Sequence, residues 1–289
     1  MRDFVIMTDS CCDLTAQMAD ELELVVLPLH LLIGEDTFAN YLDGREIGFR
    51  EFYDRVRGGA MPTTSAVSVG VFEDAMRSIL AEGKDILCLS FSSALSTTYQ
   101  SAVIASEDLK QEFPDAAIRV LDTRSASVGQ GLMVYLCKQQ QKAGKTIDEV
   151  YQYAQDLIPH MSHWVTVDDL HHLKRGGRIS ATTALVGTML AIKPIIYVNE
   201  EGKLINVGKA RGRKAALLQL VNELEKRLLD PALPVFISHG DCEEDARFVA
   251  EEVRKRTGAE TKLISYVGPV IGSHTGAGVV ALFFVGEKR

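Results

Sequence analysis

The sequence has no apolar run long enough to cross a membrane. Its longest nearly unbroken apolar stretches, Ala184 to Ile192 and Val279 to Val285, are much shorter than the roughly 18 residues that a spanning helix needs. The N-terminal segment carries acids at Asp3 and Asp9 and has no long apolar core, so it does not predict a secretory signal. We therefore expect a cytoplasmic protein without integral membrane contact.

Cysteine is also scarce, and basic residues are fewer than acidic ones, 31 against 39. The five cysteines form no C-x-x-C pair of the kind that zinc and redox sites use, so we expect free thiols. The formal net charge of −8 argues against general nucleic-acid binding, because neutralising phosphates requires a basic face. At 289 residues, and with roughly 150 residues per domain, the chain has the length of two domains.

Motifs of several enzyme classes are present only in part. Gly272-Ser-His-Thr-Gly276 has histidine where the nucleophile elbow G-x-S-x-G needs serine. Gly144-Lys-Thr146 would be a P-loop only with glycine at Gln139. Gly129-Gln-Gly131 lacks the third glycine of a dinucleotide fingerprint, and we interpret it as a packing or turn feature. Four histidines without a metal-ligand spacing are interpreted as solvated or capping side chains: His160, His163, His171 and His172.

In the first half of the chain, short apolar runs alternate with amphipathic helical runs. Phe4 to Met7 precedes a helix from about Leu14, with Asp13 as its N-cap, and Ser68 to Glu82 places its apolar residues on one helical face. This alternation predicts crossover units in a parallel sheet. The other elements predicted here are a strand Val25 to Leu32 broken by Pro28, strands Ile86 to Leu89 and Ala117 to Leu121, and helices Ser96 to Gln111 and Leu132 to Gln141.

The pattern changes after about Pro159. Asn199-Glu-Glu-Gly202 predicts a hairpin turn, and therefore antiparallel pairing of the strands beside it. We predict an α/β fold of two domains: an N-terminal α/β/α domain with a parallel sheet over residues 1–158, and a C-terminal α+β domain with a largely antiparallel sheet over residues 159–289. The strands predicted in the second are Val165 to Val167, Lys193 to Val198, Lys203 to Gly208, Pro234 to Ser238, Lys262 to Tyr266 and Val279 to Val285, with helices Lys214 to Leu229 and Glu243 to Arg256 over one face.

Three stretches rich in hydroxyl residues and glycine border strands or open helices, where free backbone N–H groups and hydroxyls can cap a helix or bind an anion. Capping accounts for one such stretch, but three together favour a binding site. Ser96 and His274 could also meet in space, so a serine-dependent acyl hydrolase stays open as an alternative. The stretches are Pro62-Thr-Thr-Ser65, Ser92-Ser-Ala-Leu-Ser-Thr-Thr98 and Gly268-Pro-Val-Ile-Gly-Ser-His-Thr-Gly276.

Two basic clusters stand out in this acidic chain, Lys174-Arg-Gly-Gly-Arg178 and Lys209-Ala-Arg-Gly-Arg-Lys214. A solvated face is the ordinary interpretation. The more specific interpretation is that the two clusters form a rim that attracts an acidic ligand head, a phosphate or an acidic partner. A third and weaker hypothesis is therefore a phosphate- or nucleotide-binding module that uses Arg175, Arg178 and Arg211.

Six short motifs are spread over nearly the whole chain: Thr8-Asp-Ser-Cys-Cys-Asp-Leu14, Thr64-Ser-Ala-Val-Ser68, Leu95-Ser-Thr-Thr-Tyr-Gln-Ser-Ala102, Leu173-Lys-Arg-Gly-Gly-Arg-Ile179, Ile192-Lys-Pro-Ile195 and Gly268-Pro-Val-Ile-Gly-Ser-His274. In this order they resemble the motifs of the DegV family of bacterial fatty-acid-binding proteins. The chain departs from that pattern at Ala66 and Val67, where the family has glutamine and proline, and at Thr97, where glycine is usual.

The resemblance implies a long-chain fatty acid, such as palmitate, in a buried tunnel between the two domains. Its carboxylate would be bound by Thr64 and Ser96, close to His274. The chain would then be a carrier and not an enzyme, without metal or cofactor, which presents the acid to a separate fatty-acid kinase for acyl-phosphate formation. Arg175 and Arg211 would lie at the tunnel mouth or contact the kinase.

Overall fold

The protein is described by a computed structural model that covers residues 2–168, 170–180 and 192–289. Part of the apolar stretch Ala184 to Ile192 thus lies outside the described residues. The first half contains, in chain order, β1 (Phe4–Asp9), α1 (Ala16–Glu21), β2 (Val25–Leu27), β3 (His30–Ile33), β4 (Asp36–Ala39), α2 (Phe49–Arg57), β5 (Thr63–Ser65), α3 (Val69–Ala81), β6 (Asp85–Ser90), α4 (Thr98–Glu112), β7 (Ile118–Asp122), α5 (Val128–Lys142) and α6 (Ile147–Leu157).

The second half is richer in strands. It contains β8 (Met161–Thr166), α7 (His171–Arg175), β9 (Ile192–Val198), β10 (Leu204–Arg211), α8 (Arg213–Arg227), β11 (Val235–His239), α9 (Glu243–Thr257), β12 (Thr261–Tyr266), α10 (Pro269–Thr275) and β13 (Val280–Val285). Within the described ranges, no helix combines the length and the apolar character needed to span a bilayer.

The predicted parallel sheet is confirmed, with strand order β2-β1-β6-β7. Every residue of β6 is buried, because α3 and α4 pack on one side of the sheet and α5 and α6 on the other. A parallel strand covered on both faces needs a nearly continuous apolar sequence, as Ile86-Leu-Cys-Leu89 provides.

The second predicted sheet is also confirmed. Its order is β10-β9-β8-β13-β11-β12, and every neighbouring pair is antiparallel except β11 and β12. Asn199 and Lys203 close the expected hairpin turn through a 2.9 Å backbone hydrogen bond, and Gly202 has a φ of +78°, which favours glycine. Helices α8 and α9 cover one face of this sheet, as predicted.

A third, small antiparallel sheet with strand order β4-β3-β5 was not predicted. The break at Pro28 is confirmed, and the residues before and after it join different sheets. The predicted N-cap was wrong: α1 is capped by Thr15, whereas Asp13 has a left-handed backbone and turns its carboxylate inward. Leu14 therefore lies before the helix that it was expected to begin.

Helix α5 lies between the two large sheets. It contacts β1 and β6 on one side and β8, β11 and β13 on the other, and ten of its fifteen residues are buried. A Cβ atom at Gly129 would come within 2.4 Å of His163 Nε2, and one at Gly131 within 2.7 Å of the Cys12 carbonyl oxygen. The interpretation of these glycines as packing positions is thus confirmed.

Candidate functional site

A cavity of about 440 Å³ lies between the carboxyl ends of the parallel strands and the inner face of the antiparallel sheet. This volume is typical of small-molecule pockets, and the carboxyl ends of parallel strands are where such pockets usually form. Both halves of the chain supply its apolar wall. Leu29, Phe91, Leu95 and Ala126 come from the first half, and Val165, Leu173, Ile196, Val198, Leu204, Val267, Val270, Ile271, Val279, Ala281 and Phe283 from the second.

Exposure distinguishes the mouth of the cavity from its inner end. Ser93, Ala94 and Thr97 line the cavity and are exposed to solvent. Ser127 and Ser238 also line it but are 4% and 0% exposed. A ligand would therefore enter beside the loop that precedes α4.

The structure brings two predicted site residues together although 210 positions separate them. Thr64 Oγ1 and His274 Nε2 lie 2.8 Å apart, within hydrogen-bonding distance. Thr64 lies on β5, where antiparallel pairing with Leu31 of β3 fixes its backbone. His274 lies in the last turn of α10, which packs against β3 and β5. The small sheet that the sequence did not predict therefore positions this pair.

Gly176 packs closely against the Nδ1 side of the His274 ring. None of the residues that the structure describes bonds to its buried Nδ1 atom, and a Cβ atom at Gly176 would lie only 2.2 Å from that atom. Burial, followed by the nearby positive charges of Arg178 and Arg175, lowers the pKa of His274 to about 4. The ring is therefore neutral at pH 7, and its contact with Thr64 is a hydrogen bond between two uncharged groups.

Ser96 lines the same cavity but is bonded elsewhere. Its Oγ atom lies 2.9 Å from Thr98 Oγ1 and accepts the Thr98 backbone N–H at 3.2 Å, so it bonds to the residue that begins α4. Thr97 beside it has φ −81° and ψ 1°, an ordinary conformation for a residue with a side chain. The threonine that replaces the family's usual glycine thus fits without backbone strain.

Arg178 lines the cavity, although the sequence pointed to it only through the weaker hypothesis of a phosphate- or nucleotide-binding module. Its guanidinium group donates to the carbonyl oxygens of Leu95 at 3.1 Å and Gly176 at 2.5 Å. Among the described lining residues it carries the one permanent charge, and no Asp or Glu stands beside it there. Since Gly176 also contacts His274, the positive charge lies at the same end of the cavity as the Thr64 pair. This end suits an anionic ligand head.

The two other predicted arginines lie outside the cavity wall. Arg175 is exposed and lies 3.4 Å from the Ser273 carbonyl oxygen. Arg211 is exposed at the end of β10, seven residues and therefore about 23 Å of strand from the lining residue Leu204. Their expected part in binding a partner stays a prediction.

The two acids of the first motif hold the cavity walls in place. Asp9 accepts the Phe91 backbone N–H at 2.8 Å, and burial raises the pKa of Asp9 to about 6. Asp13 accepts the Ser127 hydroxyl at 2.6 Å and the Gly268 backbone N–H at 3.0 Å, which joins the two halves of the chain. Burial raises the pKa of Asp13 to about 8.

The interpretation of His163 as a solvated or capping side chain was wrong. This residue is 1% exposed, lines the inner part of the cavity and packs edge-on against Phe283. Its Nδ1 atom lies 2.8 Å from the Met161 carbonyl oxygen, and burial lowers its pKa well below the usual range. The ring is therefore neutral. The polar Ser162 and His163 interrupt the apolar pattern of β8, so the sequence did not show that both are buried.

Comparisons with known proteins agree over the whole length of the chain. The family model described as "Uncharacterised protein, DegV family" matches residues 3–287. A DegV domain-containing protein of Clostridium perfringens is 46% identical, over 100% of this chain and 99% of that protein.

Two solved structures are similar throughout. A DegV lipid-binding protein from Thermotoga maritima has a TM-score of 0.87 at 28% identity and covers 99% of both chains. A structure described as showing fatty-acid binding by a DegV family protein of Thermus thermophilus has a TM-score of 0.86 at 31% identity, over 98% of this chain and 99% of that one. This chain belongs to the DegV family.

Proposed function

We propose that this chain binds a long-chain fatty acid in the cavity, with the carboxylate at Thr64, Ser96 and His274. The observation that carries the proposal is the distribution of polarity in the cavity. Its walls are apolar, whereas one end combines the Thr64–His274 pair with the positive charge of Arg178. The fatty-acid binding described for the Thermus thermophilus relative supports this assignment.

The energetics favour an acyl ligand. A sixteen-carbon acid carries about 14 methylene groups, and their burial at about 0.8 kcal/mol each contributes on the order of 11 kcal/mol before the costs of binding. A buried carboxylate needs donors, which the hydroxyls of Thr64 and Ser96 and the Arg178 guanidinium supply. The tail thus provides affinity and the head fixes orientation.

The geometry does not favour the serine hydrolase alternative. A nucleophilic serine needs a base within hydrogen-bonding distance and a further group that orients the base. Here Ser96 bonds to Thr98, and His274 Nε2 bonds to Thr64. His274 Nδ1 has no hydrogen-bond partner within the described ranges. A binding role accounts for these contacts better than catalysis does.

We further propose that the acid lies between domains formed by residues 1–158 and 159–289, and that the loaded protein presents its carboxylate to a separate ATP-dependent fatty-acid kinase. The exposed residues at the mouth support this role, because the carboxylate end of the cavity is also its open end. Arg175 and Arg211 would contact the kinase from outside the cavity.

Binding can be tested with delipidated protein titrated with hexadecanoic acid. We expect Thr64→Val and Ser96→Ala each to weaken binding roughly tenfold to a hundredfold, since each removes a hydrogen bond to a charged group. Thr63→Val is the matched control, because Thr63 is the neighbouring residue of β5 and does not line the cavity. Equal affinities for the Thr64→Val and Thr63→Val variants would contradict the site.

The carrier role needs a separate assay. Acid-loaded protein is mixed with a purified fatty-acid kinase and ATP, and the acyl phosphate is trapped with hydroxylamine. We expect more hydroxamate than with free acid alone, and a lower rate for Arg211→Glu at an unchanged affinity for the acid. A yield no higher than that from free acid would refute presentation to the kinase while leaving binding intact.

A further inference from the structure

A second cavity, of about 180 Å³, lies between the two halves of the chain, and no described residue lines both it and the larger cavity. Its inner wall includes Ser10 and Asn40 from the first half and His239 from the second, which are 1%, 3% and 2% exposed. Phe49, which is half-buried, and Glu243, which is exposed, form its mouth. The volume is that of about six water molecules at about 30 Å³ each, or of one small ring compound.

His239 has a hydrogen-bond donor for which the protein supplies no acceptor. Its Nδ1 atom accepts the backbone N–H of Cys242 at 3.3 Å. Burial lowers the pKa of His239, so the ring is neutral at pH 7 and its one N–H hydrogen is on Nε2. Nothing in the described part of the chain bonds to this Nε2 atom. A buried donor without an acceptor is unfavourable, so Nε2 needs a partner inside the second cavity.

Asn40 has an acceptor that is free in the same way. Its Nδ2 atom donates to Ser10 Oγ at 3.1 Å, while none of the described residues donates to its Oδ1 atom. Among the described side chains, the fully enclosed polar atoms without a partner include His274 Nδ1 but neither His239 Nε2 nor Asn40 Oδ1. These two atoms therefore keep accessible surface, and the cavity that both residues line accounts for it.

The second cavity has no permanent positive charge that could hold an anion. None of its described lining residues is lysine or arginine. The carboxylate of Glu243 lies at the mouth and pairs with Arg247. The carboxyl group of Asp13 already accepts hydrogen bonds from Ser127 and Gly268, and burial raises its pKa to about 8, so it is mostly neutral at pH 7. A neutral interior with one free donor and one free acceptor suits an uncharged ligand.

We infer that the second cavity binds a small uncharged ring compound that carries an amide group, the class to which nucleobases and aromatic carboxamides belong. An amide offers a carbonyl oxygen to His239 Nε2 and an N–H to Asn40 Oδ1 in one group. Tyr41, Phe49 and Tyr266 supply aromatic walls for the ring. This site goes beyond the proposed function and does not depend on it, because the two cavities share no described lining residue.

The test compares three probes of similar size on the full-length protein: benzamide, benzoate and benzylammonium. They carry an uncharged amide, a negative charge and a positive charge on the same ring. We expect benzamide to bind with a dissociation constant of roughly 1 mM or lower, and the two charged probes at least tenfold more weakly. No saturable binding of benzamide up to about 10 mM would mean that the cavity holds water only, and would overturn the inference. Equal affinities for the three probes would overturn it as well.

Variants and resonance signals locate the probe. His239→Phe keeps a ring of similar size but removes the donor, so it should weaken benzamide binding roughly tenfold. His160→Phe is the matched control, because His160 also bonds to the backbone, at the Gly286 carbonyl oxygen, but lines neither cavity. In wild-type protein, benzamide should shift the nuclear magnetic resonance signals of the His239 ring and leave those of His163, in the larger cavity, unchanged. This measurement decides the question even where a variant fails to fold.

Equal benzamide affinities of the two variants, or a shift of His163 without one of His239, would overturn the inference. Titration with hexadecanoic acid separates this site from the proposed function. We expect His239→Phe to bind that acid as tightly as wild-type protein does. A wild-type protein that binds benzamide but not hexadecanoic acid would refute the proposed function and support the second site.

Discussion

Substituting Gly176 by alanine tests the hydrogen bond between Thr64 and His274 without altering either residue. Gly176 has φ −71° and ψ −8°, which alanine adopts readily, so the substitution adds a methyl group without backbone strain. That methyl carbon would lie 2.2 Å from His274 Nδ1, against an ordinary contact distance of 3.4 Å or more. The ring must therefore move by about 1.2 Å, the difference between these two distances.

A movement of this size is incompatible with the present 2.8 Å contact unless Thr64 follows, and strand pairing restrains Thr64. We expect Gly176→Ala to lose about 1–3 kcal/mol of unfolding free energy through overpacking. Loss of the hydrogen bond should also weaken fatty-acid binding by roughly twofold to tenfold. Urea unfolding measures the first effect, and titration with hexadecanoic acid the second.

Gly70→Ala is the matched control, because Gly70 lies in α3 and a Cβ atom there meets nothing within 4 Å. It should stabilise the protein by about 0.5–1 kcal/mol through helix propensity and leave binding unchanged. Nuclear magnetic resonance of the His274 ring reports whether its hydrogen bond is broken. A Gly176→Ala protein with wild-type affinity and an unaltered His274 signal would refute the argument that Gly176 holds the ring in place.

Two further predictions concern the contacts between the sheets. Burial raises the pKa of Asp13 from 3.8 to about 8, so its contribution to stability is complete below pH 3.8 and is lost as the pH rises through 8. The Asp13→Asn variant should therefore lose less unfolding free energy than the wild-type protein over that pH interval. Equal losses for the two proteins, measured by urea titration, would contradict this. Gly129→Ala would place a Cβ atom 2.4 Å from His163 Nε2, so it should cost about 1–3 kcal/mol and lower the melting temperature; an unchanged melting temperature would contradict this.

Much of the fold could be predicted because periodicity reports burial directly. The run Ile86-Leu-Cys-Leu89 is buried on both faces, and its continuous apolar sequence predicted that. The small sheet could not be found in this way. Strand β5 has the sequence Thr-Thr-Ser and β4 has Asp-Thr-Phe-Ala, so neither has the apolar alternation that predicts a strand. Their pairing with β3 is a property of the tertiary structure.

The candidate site, like the fold, could be predicted from the sequence only in part. The six motifs pointed to Thr64, Ser96 and His274, and the structure places all three on one cavity. The hydrogen bonds that Ser127 and Gly268 donate to Asp13 could not be predicted, because they join residues from three distant segments. Asp13 was misassigned for a local reason, since an acid just before a helical pattern is a common N-cap signal. Thr15 two residues later caps the helix instead.

The position of α5 between the two sheets has a consequence for the order of folding. Each sheet needs this one helix to cover a face, so neither layer is complete until both have docked on it. On a ribosome, residues 1–157 emerge first and already contain α5, with the face that will meet β8, β11 and β13 still uncovered. A chain shortened at residue 158 would keep that apolar face in water. The two halves are therefore expected to unfold in one cooperative transition. In the nascent first half, the uncovered face of α5 would be a binding site for a chaperone that binds exposed apolar helices.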